Sequence, residues 1–193
     1  NKKSAYKKFK KIYLQNNKEI KLRYNLAVMQ QELGLLDEAE TNYIYLIKHK
    51  DEPKHNINLY NLYITNGYYL KALKIIDSIK SKNISLTRVD QDRAHVLYLI
   101  KNYKDSINQC YELLKVDNKN LQTLNTLGLC FLKLQRYDEA DEALLKGLSL
   151  NNQNIVILNS LGRLNHELRK SKEAKIYFDK AYALDSSSFE TLN

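Results

Sequence analysis

The sequence predicts an all-α protein of stacked antiparallel helix hairpins, and three observations carry that prediction. The chain repeats itself at a 34-residue offset: "LGLCFLKLQRYDEADEALLKGLSLN" at 127–151 returns as "LGRLNHELRKSKEAKIYFDKAYALD" at 161–185. Five glycines and one proline in 193 residues are too little turn chemistry for a β-sandwich or a doubly wound sheet. Within each recurrence the apolar residues fall at three- and four-residue intervals, the helical period. One hairpin of two such helices cannot bury both its faces. Repeated hairpins therefore stack, each covering the next, and the interval is the length of one stacking unit.

The elements follow in order from that register. Residues 1–19 read as the second helix of a partial repeat, because Ala5, Phe9 and Ile12 reproduce the spacing of Ala140, Leu144 and Gly147. The first full unit is 20–52, one residue short, with Ala27, Gly34, Ala39, Tyr43 and Leu46 in the repeated places. Unit 53–86 follows with Tyr69, Ala72 and Ile76; its bulky Tyr60 stands where other units have Gly or Ala and predicts a local irregularity. Unit 87–120 carries Ala94, Tyr103 and Cys110 in register.

Units 121–154 and 155–188 are the clearest. Leu121, Leu124, Leu127, Phe131 and Leu134 form the apolar stripe of a first helix. The second helix is expected from Asp138, with Asp138 and Glu139 where a helix N-terminus favours acids. It is expected to close at "LNNQN" through an asparagine in the left-handed conformation. Residues 189–193, "FETLN", read as the start of a further repeat, so 1–193 forms a single array. Gly128, Gly162, Ala27 and Ala94 are expected to face Ala140, Ala174, Ala39 and Ser106, small against small, letting paired helices approach closely.

The bulk composition, 44% hydrophobic and 27% charged, suits a chain that buries a core. No apolar run approaches the roughly 18 residues of a membrane span. The chain opens on Asn rather than Met and carries no secretory signal pattern, so it reads as a fragment whose compartment is open, with the cytoplasm favoured. Cys110 and Cys130 both fall on apolar helical faces and read as buried free thiols. The net charge of +9 is uneven: residues 1–23 hold nine basic side chains against the single acid Glu19. The remainder is nearly neutral.

These units resemble the tetratricopeptide repeat family, two helices per 34 residues with a small, large and aromatic pattern. The matching residues in the clearest unit are Leu124, Leu127, Gly128, Phe131, Tyr137, Ala140, Leu144 and Leu148; the next unit contributes Leu158, Leu161, Gly162, Ala174, Phe178 and Ala181. Trp is absent from the family's favoured aromatic place, and the closing Pro is missing except near Pro53. The resemblance implies a right-handed superhelix whose first helices line a concave groove. It further implies a non-catalytic scaffold that binds an extended segment or helix of a partner protein.

On that implication, spacing selects Lys21, Tyr24, Asn25, Lys54, Asn58, Asn61, Arg88, Asp92, His95, Tyr98, Asn125, Asn159 and Arg163 as groove residues. Asn25 and Asn58 occupy equivalent places one repeat apart, continued by Asp92, Thr126 and Ser160. A side-chain amide offers both donor and acceptor and can hold a peptide backbone without reading its sequence. Lys21, Lys54 and Arg88 share another place and suit an acidic segment. The carboxylate clamp that some co-chaperones of this family use for chaperone tails is absent, since only fragments of its Lys, Asn and Arg pattern occur.

Other function classes have thinner support. His49, His55, His95 and His166 are scattered, and there is no glycine-rich phosphate loop or nucleophile elbow, so no catalytic centre, metal or cofactor is expected. The alternatives are a substrate-presenting segment of a larger enzyme, or binding of nucleic acid or an acidic surface through the basic N-terminal helix. The opening "NKKSAYKKFKKIYLQNNK" does interleave Lys with Tyr and Phe, as single-strand binders do. Yet its apolar residues are needed by the hairpin, and the rest of the array is not basic, which disfavours nucleic acid.

Overall fold

The helical stripes fold as helices throughout the computed structural model, which describes the backbone of residues 1–81 and 87–190 and the side chains of 1–79 and 89–185. Eleven helices and no strand occur among the described residues: α1 (Lys2–Gln15), α2 (Ile20–Glu32), α3 (Leu36–His49), α4 (Pro53–Thr65), α5 (Tyr69–Ser81), α6 (Thr87–Leu99), α7 (Tyr103–Val116), α8 (Leu121–Lys133), α9 (Tyr137–Leu150), α10 (Ile155–Glu167) and α11 (Ser171–Glu190). First helices thus begin at 20, 53, 87, 121 and 155. Residues 189 and 190 continue α11 as one helix. Residues 191–193 of the expected further repeat lie outside the described residues.

Local chemistry sets the helix ends, with two departures from expectation. Asn120 and Asn154 cap α8 and α10, each side-chain oxygen accepting from the backbone N–H three residues on, at 2.9 and 3.0 Å. The second helix α9 starts at Tyr137, so Asp138 and Glu139 occupy its first turn rather than its cap. They still oppose the positive end of the helix dipole. Asn151 closes α9 at φ −149°, an extended residue rather than a left-handed one. Its side chain instead turns the chain by accepting from the backbone N–H of Gln153 at 3.0 Å.

The left-handed residue sits in a different place. Between first and second helices, Gly34, Gly67, Lys101, Gln135 and Arg169 all have φ between 59° and 76°. All five stand at the same place in the repeat register. Only two are glycine, so three of these tight turns force an L side chain into a region that costs about 1–2 kcal/mol.

The chain divides into two compact units, 1–85 and 86–193. In unit 1, α3 packs against both α2 and α4; in unit 2, α7 lies against α6 and α8, and α9 against α8 and α10. Every such second helix is therefore shared by its own first helix and the next. The core of unit 1 includes Ala27, Ala39, Tyr43, Leu46, Leu59, Leu62 and Tyr63, with Tyr60 half-buried against it. That of unit 2 is more aliphatic, including Leu127, Phe131, Ala140, Leu144, Ile157, Leu161 and Leu164. Cys110 and Cys130 are free and buried. Burial pushes their thiols up, to about 12 and about 11, which leaves them inert.

The close approach of paired helices also brings large residues against the glycines. A methyl group placed on Gly128 would lie 2.6 Å from Leu144 Cγ, and one on Gly162 would lie 2.5 Å from the Phe178 ring. These glycines leave room for a large residue on the facing helix. Ala94 and Ser106 meet as expected, with Ser106 Oγ donating to the Ala94 carbonyl at 2.7 Å.

Two stability predictions follow from these contacts. Gly128→Ala should lower stability by about 1 kcal/mol net, overpacking outweighing the gain in helix propensity. Gly162→Ala should cost less, because Phe178 is 38% exposed and its ring can swing outward. Chemical denaturation of both variants checks the order; equal losses would contradict it. At the turns, Gly67→Ala should cost about 1 kcal/mol and Gly67→Asn clearly less, since Asn tolerates positive φ. A shift of the thermal midpoint that is the same for both would show that backbone conformation is not the cause.

Candidate functional site

The predicted groove residues lie on first helices, and each unit holds its own set. In unit 1, α2 places Lys21 and Asn25 in solvent, where neither has a partner among the described residues. Tyr24 is half-buried between them and α4. The amide nitrogen of Asn58 donates to the Tyr24 hydroxyl at 3.0 Å, and Lys54 Nζ stands 5.1 Å from the centre of the Tyr24 ring. His55 lies against the same ring at 5.6 Å, buried, its Nδ1 donating to the Lys50 carbonyl at 2.8 Å. Asn61 is half-buried one turn further along α4.

Lys54 is not a free cation. Glu52 holds it at 2.6 Å and holds Lys50 at 2.7 Å. The two ammonium groups keep the Glu52 carboxyl well below its ordinary value, at about 2. Of the cationic row read from the sequence, Lys21 alone is open in unit 1, and the side chain of Arg88 lies outside the described residues.

In unit 2, α8 is flanked by α6 and α10. The flanks close over it: every residue from Thr123 to Leu132 is buried. Asn125 is consequently buried, its Oδ1 accepting from Ser160 Oγ at 2.6 Å. The open residues of this layer belong to α10, where Asn159 and Arg163 are exposed and without a partner among the described residues. On α6, Asp92 and His95 are half-buried, and the His95 and Tyr98 rings stack at 6.0 Å. Burial pulls the His95 imidazole below its ordinary value, against the opposing charge of Asp92. Burial also raises the Tyr98 hydroxyl, while nearby Arg163 acts the other way.

One relation escaped the reading of spacing. Asn58 bonds Tyr24, and Ser160 bonds Asn125. In each case the sixth residue of a first helix reaches the fifth residue of the preceding or flanking first helix. These polar side chains tie neighbouring helices together, so the amide of Asn58 is partly committed and that of Asn125 is enclosed. The signal was present as a pair of polar residues one place apart in successive repeats. Arg23 was also missed: its guanidinium lies 3.7 Å from the Tyr45 ring and 5.2 Å from that of Tyr13, and it donates to Asn42 at 2.9 Å. It pins α1, α2 and α3 together.

Among the described residues, unit 2 has clefts on the second-helix side. One, about 920 Å³ and open, is lined by α6 and α7 side chains including Arg93, Asp105 and Glu112. Another, about 240 Å³, lies between α7 and α9 with α8 as its floor. No predicted groove residue lines either. Among the described residues no group of three or more His, Cys, Asp or Glu side chains could hold a metal ion, and no helix is long and apolar enough to cross a membrane.

Comparison with known proteins agrees with this architecture. The tetratricopeptide repeat family profile matches residues 121–154 and 155–188. A TPR repeat-containing protein of Methanocaldococcus jannaschii is 28% identical over 142 residues, covering 64% of this chain and 25% of its own length. The chain thus spans a quarter of that relative. A tetratricopeptide repeat protein from Parabacteroides merdae superimposes with a TM-score of 0.82 at 19% identity, over 94% of this chain and 73% of that one. YrrB, described as a TPR protein with an unusual peptide-binding site, gives 0.62 at 14% identity, over 91% of each chain. At such identities the two structures speak for the fold alone. Residues 121–188 thus match the tetratricopeptide repeat family, and the chain as a whole shares the fold of tetratricopeptide repeat proteins.

Proposed function

We propose that the chain is a non-catalytic interaction scaffold whose first-helix faces bind an extended, acidic segment of a partner protein. The observation that carries this reading is a half-buried tyrosine with an open cation in the first-helix layer of both units: Tyr24 with Lys21 one turn before it on α2, and Tyr98 with Arg163, whose charge acts on its hydroxyl. An aromatic face and a guanidinium or ammonium group together suit a segment in which carboxylates alternate with apolar side chains. Exposed Asn25 and Asn159 retain free amides to bond its backbone. The peptide-binding site that the description of YrrB assigns to a protein of this fold supports the same reading.

The test uses an array of acidic and basic extended peptides, followed by fluorescence anisotropy on the best binder. Lys21→Glu and Arg163→Glu should each weaken an acidic peptide about tenfold, with Lys104→Glu on a second helix neutral. Equal binding by all three variants would remove the first-helix faces from the reading. A preference for single-stranded nucleic acid, with affinity falling steeply as salt rises, would favour the basic N-terminal helix instead.

Stability and binding should separate at the two asparagines. Asn58→Ala removes a bond between helices and should cost about 1 kcal/mol. Asn25→Ala should leave stability within about 0.5 kcal/mol of the parent while weakening peptide binding. Parallel denaturation and anisotropy measurements check the split.

A further inference from the structure

The cleft between α7 and α9 lies on the second-helix side of unit 2, away from the first-helix faces. Its floor is apolar, formed by Leu114, Leu127, Phe131 and Ala143, and its volume of about 240 Å³ leaves room for a large aliphatic side chain. Its rim on the α9 side carries two carboxylates, Glu139 and Glu142, with Lys146 one turn further along. Glu139 shares Arg136, whereas Glu142 is exposed with no partner among the described residues. With Asp138 and Asp141, α9 gathers four acids in its first two turns.

The complementary surface is on the same chain. Helix α1 carries Lys7, Lys8 and Lys11 in solvent, none with a partner among the described residues, and Leu14 is 62% exposed. Lys7, Lys11 and Leu14 are spaced i, i+4, i+7 and form one stripe along the helix. In repeat register these positions match Glu142, Lys146 and Ser149 of α9, all exposed although α9 is covered by helices on both sides. This stripe is therefore the outward face of a second helix, not the face a neighbouring hairpin covers.

We propose that the chain self-associates by docking α1 of one copy into the α7–α9 cleft of another. Leu14 enters the apolar floor, and Lys7 and Lys11 meet Glu139 and Glu142. Charge and apolar chemistry name the occupant: a basic helix whose outward stripe ends in an exposed aliphatic residue, facing a cleft with an apolar floor and two carboxylates on its rim. The two surfaces differ, so the contact is head-to-tail. Each copy still offers a free α1 and a free cleft, and assembly continues beyond a dimer unless it closes into a ring. The first-helix faces stay unobstructed, so the contact is independent of peptide binding.

Sedimentation velocity of the whole chain over a concentration series tests this. Between about 0.01 M and about 1 M salt the screening length shrinks from about 30 Å to about 3 Å. Growth past the dimer is expected at low salt and should weaken at least about tenfold at high salt. Leu14→Asp should abolish it, and so should the pair Glu139→Lys/Glu142→Lys. Adding Lys7→Glu/Lys11→Glu to that pair in one chain should restore salt-sensitive growth, with circular dichroism verifying the fold of each variant. The proposal is overturned by a monomer under all conditions or by assembly that stops at a symmetric dimer. It is equally overturned by growth that survives Leu14→Asp, or by a failure of the charge exchange to restore it in a folded chain.

Discussion

The structure depends on one column of side chains, the inward positions of the second helices. Ala39, Ala72, Ser106 and Ala140 are fully buried, and four residues later Tyr43, Ile76, Cys110 and Leu144 are nearly or fully so. Helices α3, α7 and α9 are each held between two first helices, so their inward positions touch apolar surface on two sides. A fully buried aliphatic side chain contributes about 1.5–3 kcal/mol. Deleting one would weaken two interfaces, because stability in a stack belongs to neighbouring pairs rather than to separate hairpins.

The two units meet that constraint with different chemistry. Unit 2 uses small residues against large aliphatic ones, as at Gly128 with Leu144 and Gly147 with Ile157. Unit 1 buries tyrosines, and each phenol then needs a polar partner. Tyr43 donates to Gln31 at 3.0 Å and Tyr63 to Glu40 at 2.8 Å. Glu40 also holds Lys71 at 2.7 Å, and the Lys71 ammonium lies between the rings of Tyr63 and Tyr68 at 5.3 and 5.4 Å. Lys71 lowers the Glu40 carboxyl, and burial together with Glu40 raises the Tyr63 phenol. This network joins second helices of successive repeats through side chains that the aliphatic pattern of the family does not specify.

Helix positions and their register were legible because burial imposes a period on the sequence that survives substitution. Conformation at the turns was less so: Lys101, Gln135 and Arg169 adopt the same positive φ as Gly34 and Gly67, and no side chain advertises it. Hydrogen bonding was harder still. Spacing places Asn58 on the right face of α4, but whether its amide faces a ligand or Tyr24 depends on how adjacent helices are staggered. The same stagger encloses Asn125. Position on a helix is a one-dimensional property, whereas the partner of a polar group is fixed by a neighbour some 34 residues away.

Under the proposed peptide binding, the enclosure of α8 limits which side chains of unit 2 a segment could meet. With Asn125 and Leu129 buried, a ligand on this face meets α6 and α10 rather than the helix between them. His95, its basicity lowered by burial, presents a neutral imidazole near pH 7 and so offers a donor and an acceptor without charge. Tyr98, its hydroxyl raised, remains a phenol with an available ring. Arg163 then supplies a permanent positive charge, free of any intramolecular carboxylate among the described residues. Orientation of a bound segment would follow from this asymmetry, with its carboxylate drawn to α10 and its apolar side chain laid on the ring at α6.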